Sequence, residues 1–149
     1  MLVRHAKAGD REQWTDPDEL RPLTKAGRRQ AEGLVKVLSA MPVAEVLSSP
    51  SVRCRETVQP LAHGHGLEVH DSDALAEGAG AAGTLTLIRS HEDAVLCSHA
   101  DVIGAVVLEL AEHGVELHGG LRWEKASTWV FTVRRGAVVE GRYLPPPVF

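Results

Sequence analysis

The sequence has few cysteines, few aromatic residues and no long hydrophobic run. Its two cysteines, Cys54 and Cys97, each lie in an apolar stretch; a secreted domain could join them in a single disulfide, but we expect buried free thiols. No apolar stretch approaches the roughly 20 residues of a transmembrane helix. No basic segment followed by an apolar one opens the chain as a secretion signal would. We therefore expect a cytoplasmic protein that does not interact with a membrane.

Positive charge is also scarce. The chain has 16 lysines and arginines against 20 acidic residues, which gives a formal net charge of -4. This balance argues against binding to a nucleic acid polymer or to an acidic lipid surface, although it allows a small basic pocket. The length of 149 residues, with 44% hydrophobic and 24% charged residues, suits one globular domain spanning residues 1–149.

Short β-branched runs alternate with longer helical patterns along the chain. Thr24 is predicted to cap the first helix, and Ser49 the second, with Pro50 in the first helical position. The end of the first strand is expected at 1–3, and the later strands at 43–47, 67–70, 94–97, 129–133 and 138–143. Strands separated by helices predict an α/β fold, here a three-layer α/β/α sandwich. We expect a mainly parallel sheet whose last two strands form an antiparallel C-terminal edge.

Chemically reactive side chains follow four of the predicted strands. Ligands of parallel α/β sheets bind beyond the C-terminal ends of the strands, so these side chains should face one crevice. The set consists of Arg4 and His5 after the first strand, Arg53 after the second, Glu77 beyond the third and His99 after the fourth.

This combination suits phosphoryl transfer. Arginines bind phosphate oxygens with two parallel hydrogen bonds and keep their charge, which is the main requirement of a phosphoryl group in transit. A neutral histidine can attack phosphorus, and the positive charge of Arg4 and Arg53 should help to keep His5 neutral. A carboxylic acid such as Glu77 can protonate the leaving oxygen and later accept a proton from water.

Four ordered motifs resemble those of the histidine phosphatase superfamily. The stretch LVRHAKAG at 2–9 resembles the family signature, with Ala6 where many members have glycine. The stretch LRPLT at 20–24, with Gly27 and Gln30-Ala31, is similar to the small phosphohistidine-phosphatase-like branch. Ser48-Ser49-Pro50 with Arg53 and Thr57 resembles the second arginine block, and Ser98-His99 the second histidine block.

The resemblance implies a role for each matched residue. His5 would be the phosphorylated nucleophile, in a phosphate pocket formed with Arg4, Arg53 and His99. Glu77 would be the acid/base, at a position that shifts between branches of the family. Lys7 and Arg21 are candidate residues at the mouth of the site. No metal or other cofactor is implied, and the small size implies an open site for a phosphorylated small molecule, a nucleotide or a phosphoprotein.

A second resemblance concerns the chain as a whole. The stretch KASTWV at 125–130 and the block from Arg4 to Gln30 look similar to the C-terminal half of proteins that fuse a Nudix hydrolase to a phosphatase domain. No Nudix box is present in this chain. Since the Arg4-His5 pair comes so early, we expect either a short, truncated first strand or missing upstream residues.

Two functions of other classes remain as alternatives. A regulatory module could bind phosphate without turnover, although such a module would not need both His5 and His99. A metal-dependent hydrolase could use the surplus histidines, but His63 and His65 have no cysteine or carboxylate beside them at ligand spacing. The leading prediction is a metal-independent phosphatase with a phosphohistidine intermediate, whose oligomeric state the sequence does not indicate.

Overall fold

The computed structural model describes residues 1–149 as a seven-stranded sheet with four α-helices. The strands are β1 (Leu2–Arg4), β2 (Glu45–Ser48), β3 (Val69–Asp71), β4 (Ala94–Ser98), β5 (Glu116–His118), β6 (Thr128–Arg134) and β7 (Ala137–Leu144). The helices are α1 (Lys25–Val37), α2 (Val52–Gly64), α3 (Ala82–Ser90) and α4 (Ala100–Glu112). Two short 3-10 helices lie at Asp18–Leu20 and Asp73–Leu75.

The strand order across the sheet is β3-β2-β4-β1-β6-β7-β5. The strands β3, β2, β4 and β1 run parallel, and β6 and β7 continue the sheet in antiparallel pairing. This arrangement confirms the predicted α/β class and the antiparallel C-terminal pair. The parallel half brings the ends of β1, β2 and β4 to one edge of the sheet.

Side chains that alternate along the strands build a core on each face of the sheet. In β1, Leu2 packs in one core with α3 and α4, whereas Val3 packs in the other with α1 and α2. The same alternation separates Leu96 of β4 from its neighbours Val95 and Cys97. Burial of both sheet faces by helices explains the continuous apolar runs of β1 and β4.

The structure corrects the predicted start of α2. We expected Ser49 to cap this helix, but its N-cap is Ser51 and its first residue is Val52. The backbone N–H of Ser49 donates to the Cys97 carbonyl at 2.9 Å, which extends the pairing of β2 with β4 by one residue. Ser49 is therefore extended, and Pro50 lies before the cap.

The strand β5 was not predicted from the sequence. This strand has three residues, none of them buried, and it pairs in parallel with β7. Such a short, exposed segment carries no periodic hydrophobic signal. Arg135 and Gly136, which connect β6 to β7, adopt positive φ angles of 53° and 74°, as a two-residue type I′ hairpin turn requires.

Close backbone packing positions the segment that follows β1. A side chain at Gly27 in α1 would collide with the carbonyl oxygen of Lys7. Thr24 caps α1 as predicted, since its hydroxyl accepts from the N–H of Gly27 at 3.0 Å. Glycine thus lets the helix approach the segment that carries the Arg4-His5 pair. No helix in the chain combines the length and the apolar character that crossing a bilayer requires.

Candidate active site

His5 lies directly beyond β1, with 8% of its surface exposed. Its backbone N–H donates to the carbonyl of Ser98, and its Nδ1 lies 2.8 Å from the carbonyl oxygen of Ala6. A carbonyl oxygen can only accept a hydrogen bond, so Nδ1 carries the proton. In the neutral ring the other nitrogen, Nε2, is then unprotonated and holds a free lone pair.

The electrostatic surroundings keep the His5 ring uncharged. The pKa of His5 is lowered to about 3, mainly by burial and in addition by the nearby Arg53, His99 and Arg4, whereas the hydrogen bond to the Ala6 carbonyl opposes the shift. The ring is therefore neutral over the whole physiological range. The His99 ring lies edge-on to it, with ring centroids 5.5 Å apart.

Thr57 holds the peptide that orients His5. The N–H of Ala6 donates to Thr57 Oγ1 at 2.9 Å, and this hydroxyl donates to the backbone carbonyl of Arg53 at 2.6 Å. The carbonyl group of the same residue, Ala6, accepts the Nδ1–H of His5. The ring orientation of His5 thus depends on the first turns of α2.

Arg53 lies in the first turn of α2 with only 1% of its surface exposed. Its Nη2 is 2.9 Å from Glu77 Oε2 and 3.1 Å from Asp18 Oδ2, and its Nη1 donates to the Asp18 carbonyl at 2.9 Å. The Nε atom is buried and has no hydrogen-bond partner. The guanidinium is therefore held by two carboxylates, and its Nε–H has no acceptor within the protein.

His99 occupies the N-cap position of α4 and is 3% exposed. Its Nε2 lies 2.8 Å from Ser49 Oγ and 3.6 Å from Cys54 Sγ, and its Nδ1 lies 3.4 Å from Arg53 Nη2. An arginine nitrogen can only donate, so Nδ1 is the acceptor and Nε2–H donates to Ser49. The nitrogen nearest to Arg53 and Glu77 is thus Nδ1, which is 3.9 Å from Glu77 Oε2.

Arg4 is held by a loop that is distant in sequence. Its Nη1 donates to the carbonyl of Trp123 at 2.9 Å, and its buried Nε has no partner. The N–H of Ala126 contacts the carbonyls of both Arg4 and His5, at 3.1 and 3.2 Å. No carboxylate lies within ion-pair distance of Arg4.

The other predicted site residues have different surroundings. Glu77 is 43% exposed at its side chain and bridges Arg53 to Arg11, whose Nη2 is 3.2 Å from Glu77 Oε1. Lys7 is exposed, and its backbone N–H donates to Gln30. Arg21 is 6% exposed and donates to Asp18 Oδ1 at 3.0 Å and to the Gly9 carbonyl at 2.6 Å. The structure thus brings together Arg4, His5, Arg53, Glu77 and His99.

Several residues that contact the site were not predicted from the sequence to do so. Asp18 binds both Arg53 and Arg21. Burial is the largest single effect on its pKa and raises it, but the hydrogen bond from Arg21 and the charges of Arg53, Arg21 and Arg11 together outweigh burial, so the Asp18 pKa is lowered. Ser49 was expected as a helix cap and instead contacts His99. No group of three or more His, Cys, Asp or Glu side chains that could hold a metal ion is present.

Known structures share this fold over nearly the whole chain. The protein histidine phosphatase SixA, solved with tungstate, superposes with a TM-score of 0.73 at 18% identity, covering 98% of this chain and 94% of that one. A structure described as a SixA phosphohistidine phosphatase from Nakamurella multipartitia gives a TM-score of 0.70 at 25% identity, covering 99% of this chain and 96% of that one.

Sequence comparison gives a relative and a family. An 8-oxo-(d)GTP phosphatase from Mycolicibacterium smegmatis (strain ATCC 700084 / mc(2)155) is 34% identical over 157 residues, covering 99% of this chain and 48% of that protein. The chain therefore spans about half the length of this curated relative. The family model for the histidine phosphatase superfamily (branch 1) matches residues 1–86. This match includes the part of the chain from β1 to α2, in which Arg4, His5 and Arg53 lie. The chain belongs to branch 1 of the histidine phosphatase superfamily.

Proposed function

We propose that the chain is a metal-independent phosphatase that transfers a phosphoryl group from its substrate to Nε2 of His5. One observation carries the proposal: the Nδ1–H of the buried His5 ring is directed to the Ala6 carbonyl at 2.8 Å. That contact leaves Nε2 as the nucleophilic atom. Burial and neighbouring positive charge keep the ring neutral, so the lone pair is available at physiological pH.

The phosphoryl group would be bound by the donors around His5. The unpartnered Nε atoms of Arg4 and Arg53 are two of these donors, and both belong to groups that stay positively charged. His99 would form a further part of this pocket, since its ring lies edge-on to that of His5 with the centroids 5.5 Å apart. Fixed donors of this kind stabilise the charge of the transition state without reorganising.

Glu77 would supply and remove the proton. In the first step Nε2 forms a bond to phosphorus, the bond from phosphorus to the leaving oxygen breaks, and the Glu77 carboxylic acid protonates that oxygen. In the second step the Glu77 carboxylate takes a proton from water. The resulting hydroxide forms the new P–O bond, and the P–N bond to His5 breaks, which releases inorganic phosphate and restores the neutral ring.

The substrate class is proposed from the relatives. The 34% identical relative is named for 8-oxo-(d)GTP, which supports a nucleotide as the substrate here. The Nakamurella structure, at 25% identity, is described as a phosphohistidine phosphatase and supports phosphohistidine as a second candidate. An imidazole leaves phosphorus without a strong acid, whereas the oxygen of a phosphate ester requires one, so the two substrates differ in their need for Glu77.

The experiment is to incubate the protein with radiolabelled phosphoramidate, quench the reaction and locate the label. We expect an acid-labile, alkali-stable adduct on His5 that disappears in His5→Asn. The matched control is His63→Asn, because His63 is an exposed histidine at the end of α2. Turnover without any labelled intermediate, or a label that survives in His5→Asn, would contradict the proposal. Phosphate binding without turnover would favour the regulatory alternative.

A further inference from the structure

Three segments meet on the Arg4 side of the pocket. The first follows β1, the second precedes α1 and the third is the loop 122–127 before β6. The N–H of Gly9 donates to the Pro22 carbonyl, and Ala126 donates to the carbonyls of Arg4 and His5. Their junction contains a small apolar cluster, formed by Ala6, Leu23, Ala31 and Ala126. The three segments are therefore held together by packing as well as by hydrogen bonds.

These segments carry four positively charged side chains, Arg4, Lys7, Arg21 and Lys125. The contacts of the Ala126 N–H with the Arg4 and His5 carbonyls bring the neighbouring Lys125 to the strand end that carries Arg4, and the Lys7 carbonyl accepts from the N–H of Thr24, three residues after Arg21. Burial lowers the pKa of Lys125, and the charges of Arg4, Lys7 and Arg21 lower it further. Of the four, only Arg21 has a carboxylate within ion-pair distance. The other three are left without acidic partners in a chain that has more acidic than basic residues.

The residue after Lys125, Ala126, has a strained backbone conformation. Ala126 is fully buried and adopts a φ angle of 64°, a left-handed conformation that costs a residue with a Cβ about 1 kcal/mol or more. Its methyl group packs in the apolar cluster while its N–H binds the Arg4 and His5 carbonyls. The contacts that hold the catalytic segment thus also determine where Lys125 lies.

We propose that Lys7 and Lys125 form a second anion subsite beside Arg4. This subsite would bind a phosphate group adjacent to the one transferred to His5, and it would favour substrates that carry two or more consecutive phosphates. The proposal rests on the proposed function, since it extends the same pocket outward. An ammonium group suits this role because it binds phosphate as a point charge without strict geometry.

The test compares two inorganic inhibitors of p-nitrophenyl phosphate hydrolysis, orthophosphate and tripolyphosphate. In Lys125→Gln we expect the inhibition constant of tripolyphosphate to rise about tenfold more than that of orthophosphate, which corresponds to about 1.4 kcal/mol. Lys7→Gln should also raise the ratio of the tripolyphosphate inhibition constant to the orthophosphate inhibition constant. Because exposed charges are screened, the difference should shrink as the salt concentration rises.

Lys36→Gln is the matched control, since it removes the same charge from the exposed face of α1. It should leave the ratio of the two inhibition constants unchanged. Equal changes for both inhibitors in Lys125→Gln, or no change for either, would overturn the subsite. A loss of affinity confined to an acidic phosphopeptide would also overturn it and would assign the lysines to protein docking.

Failure of the subsite can be separated from failure of the proposed function. Direct binding of tripolyphosphate and orthophosphate can be measured by calorimetry in a chain that shows no turnover. Tighter binding of tripolyphosphate that depends on Lys125 would support the subsite even if no phosphohistidine forms. Turnover of a nucleoside triphosphate and of inorganic tripolyphosphate, compared in the same variants, then distinguishes a nucleotide from a polyphosphate chain as the source of the phosphates.

Discussion

Arg53 and Arg4 both act on the charge of His5, but the protein holds them in opposite ways. Arg53 lies in α2, almost fully buried, and contacts the carboxylates of Asp18 and Glu77. Arg4 is the last residue of β1, and its side chain has only the Trp123 carbonyl as a partner, with Lys125 nearby. The charge around Arg53 is balanced within the protein, whereas the charge around Arg4 remains for a ligand. The first region should therefore contribute to stability, and the second mainly to binding.

The largest effect should come from replacing each arginine with alanine. Both changes remove a phosphate donor, and we expect kcat/KM to fall by about 100-fold or more in each. Only Arg53→Ala also leaves the carboxylates of Asp18 and Glu77 without their shared cation. We expect this to lower the free energy of unfolding by about 2 kcal/mol, less than for a fully buried ion pair, because solvent screens the two partly exposed carboxylates.

Denaturant unfolding of the two variants measures this difference. For Arg4→Ala we expect a loss of about 1 kcal/mol, the value of a single hydrogen bond to a carbonyl. Equal destabilisation by both variants would remove the distinction between the two regions.

Glu77→Gln should separate the proposed acid/base role of Glu77 from its ion pair with Arg53. For phosphate esters with poor leaving groups we expect kcat to fall by about 100-fold, whereas phosphoramidate hydrolysis should change far less. The variant should also bind inorganic phosphate a few-fold more tightly, because the carboxylate no longer competes for Arg53. Steady-state kinetics with a series of leaving groups measures both effects. An equal loss on every substrate would exclude the acid role.

The burial of His5 should appear in the pH dependence of stability. Between pH 6.5 and about 3 a histidine in the unfolded chain is protonated, whereas His5 in the folded chain stays neutral. The unfolded state binds more protons in this window, so stability falls as the pH decreases, by up to about 1.4 kcal/mol per unit.

This contribution should be absent from His5→Asn. The measurement is the difference in unfolding free energy between the wild-type chain and this variant, followed from pH 7 to pH 4. Both chains contain the same carboxylates, so taking the difference cancels the contribution of these groups to the pH dependence of the unfolding free energy. A difference that does not change with pH would show that His5 is protonated in the folded chain.

The smallest expected effect belongs to Thr57→Val, which loosens the link between α2 and His5. The change leaves the buried N–H of Ala6 without its acceptor and should cost about 1–2 kcal/mol of stability. We expect kcat to fall about tenfold with little change in KM, because the ring of His5 is less well oriented. Thr84→Val is the control, since Thr84 is equally buried and its hydroxyl contacts Ala74. Equal kinetic losses in both variants would contradict a positioning role.

Much of the fold could be predicted because its signals are local. The apolar runs of β1 and β4 and the Thr24 cap of α1 involve residues near one another in sequence. The errors arose where a distant partner competes with a local preference. Ser49 follows the local pattern of a cap, yet its hydroxyl contacts His99, 50 residues away. β5 forms only because β7 offers it an edge.

In the candidate site, too, some features were predictable from the sequence, whereas the contacts between distant residues were not. Parallel strands end at one edge of a sheet, so the order of motifs was enough to propose that Arg4, His5, Arg53 and His99 lie together. The partners of these residues were not predictable in this way. Asp18 and Lys125 stand in no recognisable spacing to the residues they influence, and their contacts depend on how loops pack.

The amino-acid sequence by itself determined the alternation of strands and helices, and with it the edge of the sheet where the reactive side chains gather. Both follow from hydrophobic periodicity and chain order. Only the tertiary structure decided which nitrogen of His5 is free, which arginine has its charge neutralised and which lysine comes near Arg4. These properties depend on contacts between residues as far apart as Arg4 and Trp123, which the packed chain alone brings together.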